Sequence, residues 1–167
     1  MFEKYMICTQ DFCNVHNAGQ VTGFQVKIRI NYYRGCYLSM VDALRLVVDG
    51  QEYPTSEMTF SVPVHGPDIP GASKTYSFDE MAKATTVRWF FGDPATLTVK
   101  KPGGLNPGMH TVQLGLFIRN SYLPRIDPEG LYTLMPGAQH GPHGETGYGI
   151  PPNPLPLVAT KKISLVQ

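Results

Sequence analysis

Hydrophobic residues along this chain recur at every second position far more often than at helical spacing. In TGFQVKIRI (22–30), Phe24, Val26, Ile28 and Ile30 point one way while Gln25, Lys27 and Arg29 point the other, the signature of a half-buried strand. ALRLVVDGQEYP (43–54) repeats the alternation through Leu44, Leu46 and Val48 and then breaks at Asp49-Gly50, a pair suited to the positive φ angles of a tight hairpin turn. MTFSVPV (58–64) alternates again, with Pro63 suggesting an edge strand or a strand end because it lacks a backbone donor. TVRWFFGDPATLTVKKPGG (86–104) reads as two strands joined by a Gly-Asp-Pro turn. Val87, Trp89 and Phe91 share one face there, Leu97 and Val99 continue the pattern, and Trp89 is placed in the core. GMHTVQLGLFIRN (108–120) puts Val112, Leu114, Leu116 and Ile118 on one side, and LVATKKISLV (157–166) closes the chain as a last strand.

The intervening segments are turn punctuation: NAGQ, then NYYRG with exposed aromatics, then KPGGLNPG as a hairpin connection. KYMICTQDFCNVH (4–16) is mixed, and HGPDIPGASKTY (65–76) is irregular. SFDEMAKA (77–84) alone reads as a helix, with Ser77 as N-cap and Glu80 as its capping-box partner. About eight or nine strands without an alternation of strands and helices predict an all-β fold, an antiparallel β-sandwich of jelly-roll or immunoglobulin-like type. At 167 residues the chain is expected to form one domain, residues 1–167.

One stretch breaks the rhythm. Between the last two strands, at about 121–156, lie many Gly, Pro, His and Tyr residues without hydrophobic periodicity. A connection this long is usually functional or disordered. Disordered linkers are poor in large apolar groups, whereas this one carries Tyr122, Leu131, Tyr132, Leu134, Met135, Tyr148 and Ile150. It is therefore expected to be a shaped loop that packs on a partner surface or over a ligand.

Composition narrows the function classes. The formal charge is +1, charged residues make up 16% of the chain, and no Lys/Arg run marks a nucleic-acid groove or a membrane patch. Lys100-Lys101 and Lys161-Lys162 read as solvated strand ends. Cys8, Cys13 and Cys36 form an odd set without CxxC spacing, which argues for reduced thiols over disulfides or zinc. With no leader pattern at MFEKYMICTQDF, no spanning segment and no glycosylation sequon, a cytoplasmic location is expected.

Candidate chemistry is sparse. His140, His143 and Glu145 lie close together and are of metal-ligating types, but their spacing matches no established motif, so hydrogen bonding to a partner or ligand is the preferred role. His65 and His110 are lone histidines at strand ends and read as structural; His16 is a turn residue. No nucleophile elbow, His–Cys arrangement, phosphate loop or placed carboxylate pair is present, and no catalytic residue is assigned. Tyr32, Tyr33, Tyr122 and Tyr148 are of the type that stacks on sugar or flavonoid rings or packs at interfaces.

Several segments carry a resemblance. MFEKYMI, VTGFQVKIRINYYRG, Leu38-Ser39, Val48-Asp49-Gly50, the Glu80-Met81-Ala82 turn, VRWFFGDPATLTVKKPGGLNPGMH and the closing TKKISL together resemble the small β subunit of bacterial C-glycoside deglycosidases. The similarity runs through most of the chain to Tyr122 and resumes near Val158, with 65–75 and 124–156 outside it. The resemblance implies a β-sandwich subunit bound to a TIM-barrel α subunit of sugar isomerase or epimerase type. That partner would carry a divalent metal, commonly manganese, and the main catalytic groups, with no cofactor on this chain. It implies cleavage of the carbon–carbon bond between a 3-keto-glucosyl unit and an aromatic aglycone. His140, His143, Tyr148 and Tyr122 are the candidates for lining the aglycone pocket. A free-standing carbohydrate-binding sandwich is the alternative, and a small metal enzyme using His140, His143 and Glu145 a third.

Overall fold

Period-two burial turns this sequence into two antiparallel sheets packed face to face. The computed structural model describes residues 2–65, 71–119, 125–126, 132–133 and 154–166. A short helix α1 (Glu3–Met6) precedes β1 (Cys13–Asn17), β2 (Gln20–Ile28), β3 (Cys36–Tyr37), β4 (Val41–Val48), β5 (Gln51–Tyr53), β6 (Met58–Pro63) and β7 (Ser73–Ser77). Helix α2 (Phe78–Lys83) follows, then β8 (Arg88–Trp89), β9 (Ala95–Lys100), β10 (Met109–Ile118), β11 (Arg125–Ile126), β12 (Tyr132–Thr133) and β13 (Ala159–Ser164). One sheet has the order β1-β2-β9-β6-β7 and the other β13-β10-β4-β5; β3 pairs with β8, and β11 with β12, as two-stranded additions. The expected antiparallel sandwich is therefore what the chain forms.

Inward positions of the first sheet are Phe24, Val26 and Ile28 of β2, Leu97 and Val99 of β9, and Met58, Phe60 and Val62 of β6, all buried. The second sheet contributes Leu44, Leu46 and Val48 of β4 and Val112, Leu114, Leu116 and Ile118 of β10. Register keeps these rows aligned: Phe24 lies opposite Val99, which lies opposite Met58. In the other sheet Leu46 pairs with both Leu114 and Tyr53. The sheets touch where the Phe24 ring meets that of Tyr53 edge-on, centroids 5.2 Å apart.

Local signals account for the connections. Asp49 and Gly50 have φ of 50° and 81°, the paired positive values that let β4 return directly into β5. Helix α2 begins with a reciprocal capping box: the Glu80 amide donates to Ser77 Oγ at 3.2 Å, and the Ser77 amide to Glu80 Oε2 at 2.7 Å. Met81 is buried, so this short helix closes over the core.

Other expectations need correction. HGPDIPGASKTY is not wholly irregular, since Ser73–Ser77 pairs with β6 as an edge strand. β6 is interior, and Pro63 marks its end. β8 and β9 do not pair with each other: β8 joins β3, while β9 runs between β2 and β6. Gly103-Gly104 belongs to a crossover from one sheet to the other, not to a hairpin. The 4–16 segment contains a helical turn as well as a strand. Lys161 is no solvated end; it lies within β13 and donates to the Ile7 carbonyl at 3.1 Å.

His110 is buried, as its structural reading requires. Its Nδ1 lies 2.6 Å from Asp49 Oδ2 and its Nε2 2.7 Å from the Asn106 carbonyl. Two acceptors facing two ring nitrogens call for a proton on each, so the geometry selects the imidazolium. Asp49 also accepts the Thr111 amide at 2.8 Å, tying the β4–β5 turn to β10 and the crossover. Burial lowers the His110 pKa, but the bonds to Asp49 and Asn106 outweigh it and set it above 6.5. The Thr111 amide and His110 together hold Asp49 below 3.8.

Two measurements test this packing. Trp89 is fully buried, and Trp89→Ala should cost about 3–5 kcal/mol in a urea denaturation; an unchanged unfolding midpoint would remove the indole from the core. The raised His110 pKa gives a stabilisation fully present below 6.5 and lost as pH rises through the folded value. The unfolding free energy should therefore decline as the pH rises from 6.5 through the folded His110 pKa, and His110→Gln should flatten that slope. Parallel pH profiles for the two proteins would contradict the imidazolium assignment.

Candidate functional site

Beyond Ile28 the chain leaves the first sheet and folds across one end of the sandwich, where burial of Trp89 organises an exposed face. The Arg29 amide donates to the Met6 carbonyl at 2.7 Å, and its Nε to Gly92 O at 3.2 Å. Ile30 and Tyr32 turn inward. Cys36 then pairs with Trp89 and Tyr37 with Arg88. The indole packs edge-on to Phe60 at 5.1 Å, and its Nε1 donates to the Asp93 carbonyl at 2.9 Å. That bond folds residues 90–93 back over the indole, and the Asp93 amide closes the turn on the Phe90 carbonyl at 3.2 Å. Gly35 is required here: its φ is +67°, and a Cβ would stand 2.4 Å from the Trp89 carbonyl oxygen.

With Trp89 inside, its neighbours are driven out. Phe90 and Phe91 are 41% and 48% exposed, and Tyr33 and Tyr37 56% and 43%. The Arg88 guanidinium lies 5.3 Å from the Phe90 ring centre and 5.9 Å from that of Tyr37, with one N–H donated to the Arg34 carbonyl at 2.8 Å. Arg34 lies over Tyr33 and donates Nε to its hydroxyl at 2.9 Å. Phe91 meets Phe2 edge-on at 5.4 Å. His65 packs edge-on against Phe90 at 4.9 Å, and its Nε2 pairs with Asp93 Oδ2. A shallow polar groove lined by Lys27, Ser61, Ser73 and Thr96 continues from His65.

The long connection departs close by. The Arg119 amide donates to the Met40 carbonyl at 2.7 Å and its guanidinium forks onto both Asp42 oxygens, at 3.0 and 2.6 Å, just past the turn that follows Tyr37.

This face suits recognition. Its thiol is inert: burial pushes Cys36 up to about 12, well above any physiological pH. Burial also raises Cys8 and Cys13, and all three cysteines are free. Among the described residues no three His, Cys, Asp or Glu side chains converge to hold a metal, and no helix is long and apolar enough to cross a membrane. Stacked rings and guanidinium groups on a rigid backing instead match the side chains enriched at the centres of protein interfaces.

His140, His143, Tyr148 and Tyr122 lie outside the described residues, as does Glu145. Of the other two tyrosines singled out, Tyr33 is exposed as expected and Tyr32 is buried, 6% exposed, its ring 5.2 Å from that of Tyr33. Phe91 does not share the face of Trp89, because the turn bonded to the indole ends the alternation. The sequence reading passed over Tyr37, Arg88 and Phe90; the Gly-Asp-Pro directly after the two phenylalanines was the available sign that no strand continued through them.

Comparison with known proteins places the chain. A sequence model of the C-glycoside deglycosidase beta subunit family matches residues 2–122. A protein of Eubacterium cellulosolvens named C-glycoside deglycosidase beta subunit is 35% identical over 130 residues, covering 77% of this chain and 82% of that one. A 3'-dehydrocarminate deglycosidase beta subunit from a Microbacterium species is 31% identical over 104 residues, covering 62% of this chain and 70% of its own. The aromatic face lies within the matched segment, and the chain belongs to the C-glycoside deglycosidase beta subunit family.

Proposed function

We propose that this chain is the accessory β subunit of a heteromeric carbon–carbon lyase, one that separates a 3-keto-glucosyl unit from an aromatic aglycone of flavonoid or similar type. The family match across residues 2–122 carries the reading. The 3-keto assignment draws support from the relative named for 3'-dehydrocarminate. The partner is a TIM-barrel α subunit related to sugar isomerases and epimerases, the complex working in the cytoplasm.

The reaction follows from the substrate's own chemistry. A ketone at C3 of the sugar acidifies the proton on C2, and a base on the partner removes it. A divalent metal held by the partner, manganese by preference, would supply Lewis acidity at this stage. The C1–aryl bond then breaks, its electron pair going to the ring carbon, which takes up a proton as the C1–C2 double bond forms. The products are a 1,5-anhydro-hex-1-en-3-ulose and the free aglycone. This chain contributes shape and packing. His65 and His110 are engaged with Asp93 and Asp49 and are not assigned to proton transfer.

Purified alone and supplied with manganese, the chain should show no turnover of a 3-keto C-glucoside. Co-expressed with its TIM-barrel partner it should form a stable complex that releases the aglycone, followed by chromatography of the products. Turnover by the isolated chain would overthrow the accessory role, and an inactive or unformed complex would overthrow the subunit reading.

A further inference from the structure

Among the described residues, four of the five exposed aromatic side chains share one face, and two of them lie against the Arg88 guanidinium. Of the seven large hydrophobic side chains standing exposed among the described residues, Tyr33, Tyr37, Phe90 and Phe91 belong to the face over Trp89. Met109 and Val166 lie at the opposite end of the sandwich, where β10 begins and β13 has ended. Four aromatic rings held in water, two of them (Tyr37 and Phe90) against one guanidinium, are a costly surface for a protein to keep bare, and such patches mark interaction sites.

We propose that this face is where the partner subunit seats, and that the partner brings a carboxylate to Arg88 from within an apolar surround. The proposal rests on the reading of the chain as one half of a heteromer and adds the surface and the chemistry that recognises it.

Arg88 supplies the specificity. Its guanidinium is exposed, lies over the rings of Phe90 and Tyr37, and spends one N–H on the Arg34 carbonyl. An arginine has five such donors, and no carboxylate pairs with Arg88 among the described residues. A planar fork fixed by stacking, with donors to spare, matches a carboxylate in two-point geometry, and the surrounding rings exclude water from that pair. The charge balance points the same way: Asp93, the acidic group beside the rings, is already engaged by His65, and the Arg88 guanidinium gives the face a cationic centre. An acidic, apolar patch is its complement.

The face is also preformed. Trp89 is fully buried beneath it, the β3–β8 pairing fixes Tyr37 against Arg88, and the backbone at Gly35 is packed too closely on residues 89–91 to admit a Cβ. A surface already in its binding shape gives up little conformational freedom on docking.

The test titrates the isolated chain against the TIM-barrel partner by calorimetry and footprints the exposed rings in the free chain and in the complex. Arg88→Glu should raise the Kd at least about tenfold, and Phe90→Ser with Phe91→Ser should do the same. Arg88→Lys should recover only part of the loss, since an ammonium lacks the fork. All three variants change exposed groups and should retain the wild-type melting temperature, which separates lost docking from lost folding. Tyr33, Tyr37 and Phe90 should label freely in the isolated chain and be protected in the complex. Tight binding by the wild type with unchanged Kd for the variants overturns the assignment of the face and leaves the subunit reading standing. Failure of the wild type to bind any TIM-barrel partner overturns both. Protection already present in the isolated monomer, or a homodimer that Arg88→Glu dissociates, gives the face to another occupant and refutes the proposal.

Discussion

Burying an indole completely requires an acceptor for its N–H, and the way Trp89 meets that requirement shapes one whole end of the protein. The acceptor is the Asp93 carbonyl, four residues onward in the same chain. The chain must therefore double back at once, and it cannot continue as a strand. Everything nearby follows from that turn: β8 stops after two residues, Phe90 and Phe91 are expelled into solvent, and Gly35 is needed so that the facing segment can lie against the folded-back backbone. A single hydrogen bond in the core thus determines what the surface presents.

The same turn marks where sequence reading succeeds and where it stops. Strands of six to ten residues such as β2, β6, β9 and β10 were legible because alternation over that length has one interpretation, and the Asp49-Gly50 turn because its residues tolerate positive φ. The Ser77–Glu80 box was legible for the same reason: it is a local exchange of two hydrogen bonds. Pairings were not. Nothing in the order of residues says that β9 inserts between β2 and β6, or that the Gly103-Gly104 turn carries the chain across to the other sheet, because register depends on contacts between distant segments.

The candidate site was harder to read than the fold. Phe91 two residues after Trp89 satisfies a period of two, and only the tertiary hydrogen bond to Asp93 breaks it. Tyr32 and Tyr33 are identical in type, and which one is buried depends on how the chain leaves β2. Arg88 had no feature to distinguish it from any outward strand residue until Phe90 and Tyr37 were found beside it. Residue type pointed to His140, His143, Tyr148 and Tyr122, outside the described residues; contact geometry pointed to a face assembled from short segments far apart in sequence.

The edge of the first sheet bears on how such a chain survives before it meets a partner. Strand β7 ends that sheet with Ser73, Lys74 and Thr75 exposed, and Lys74 lies over the ring of Tyr76. An open strand edge is a template on which further strands can add, and an ammonium group with small hydroxyl side chains makes that addition unfavourable. The sticky rings sit at the end of the sandwich, where backbone hydrogen-bonding groups are not offered in a row. The exposed rings and this strand edge are thereby kept on different surfaces, so the β7 edge is guarded against strand addition while the aromatic face stands open to solvent.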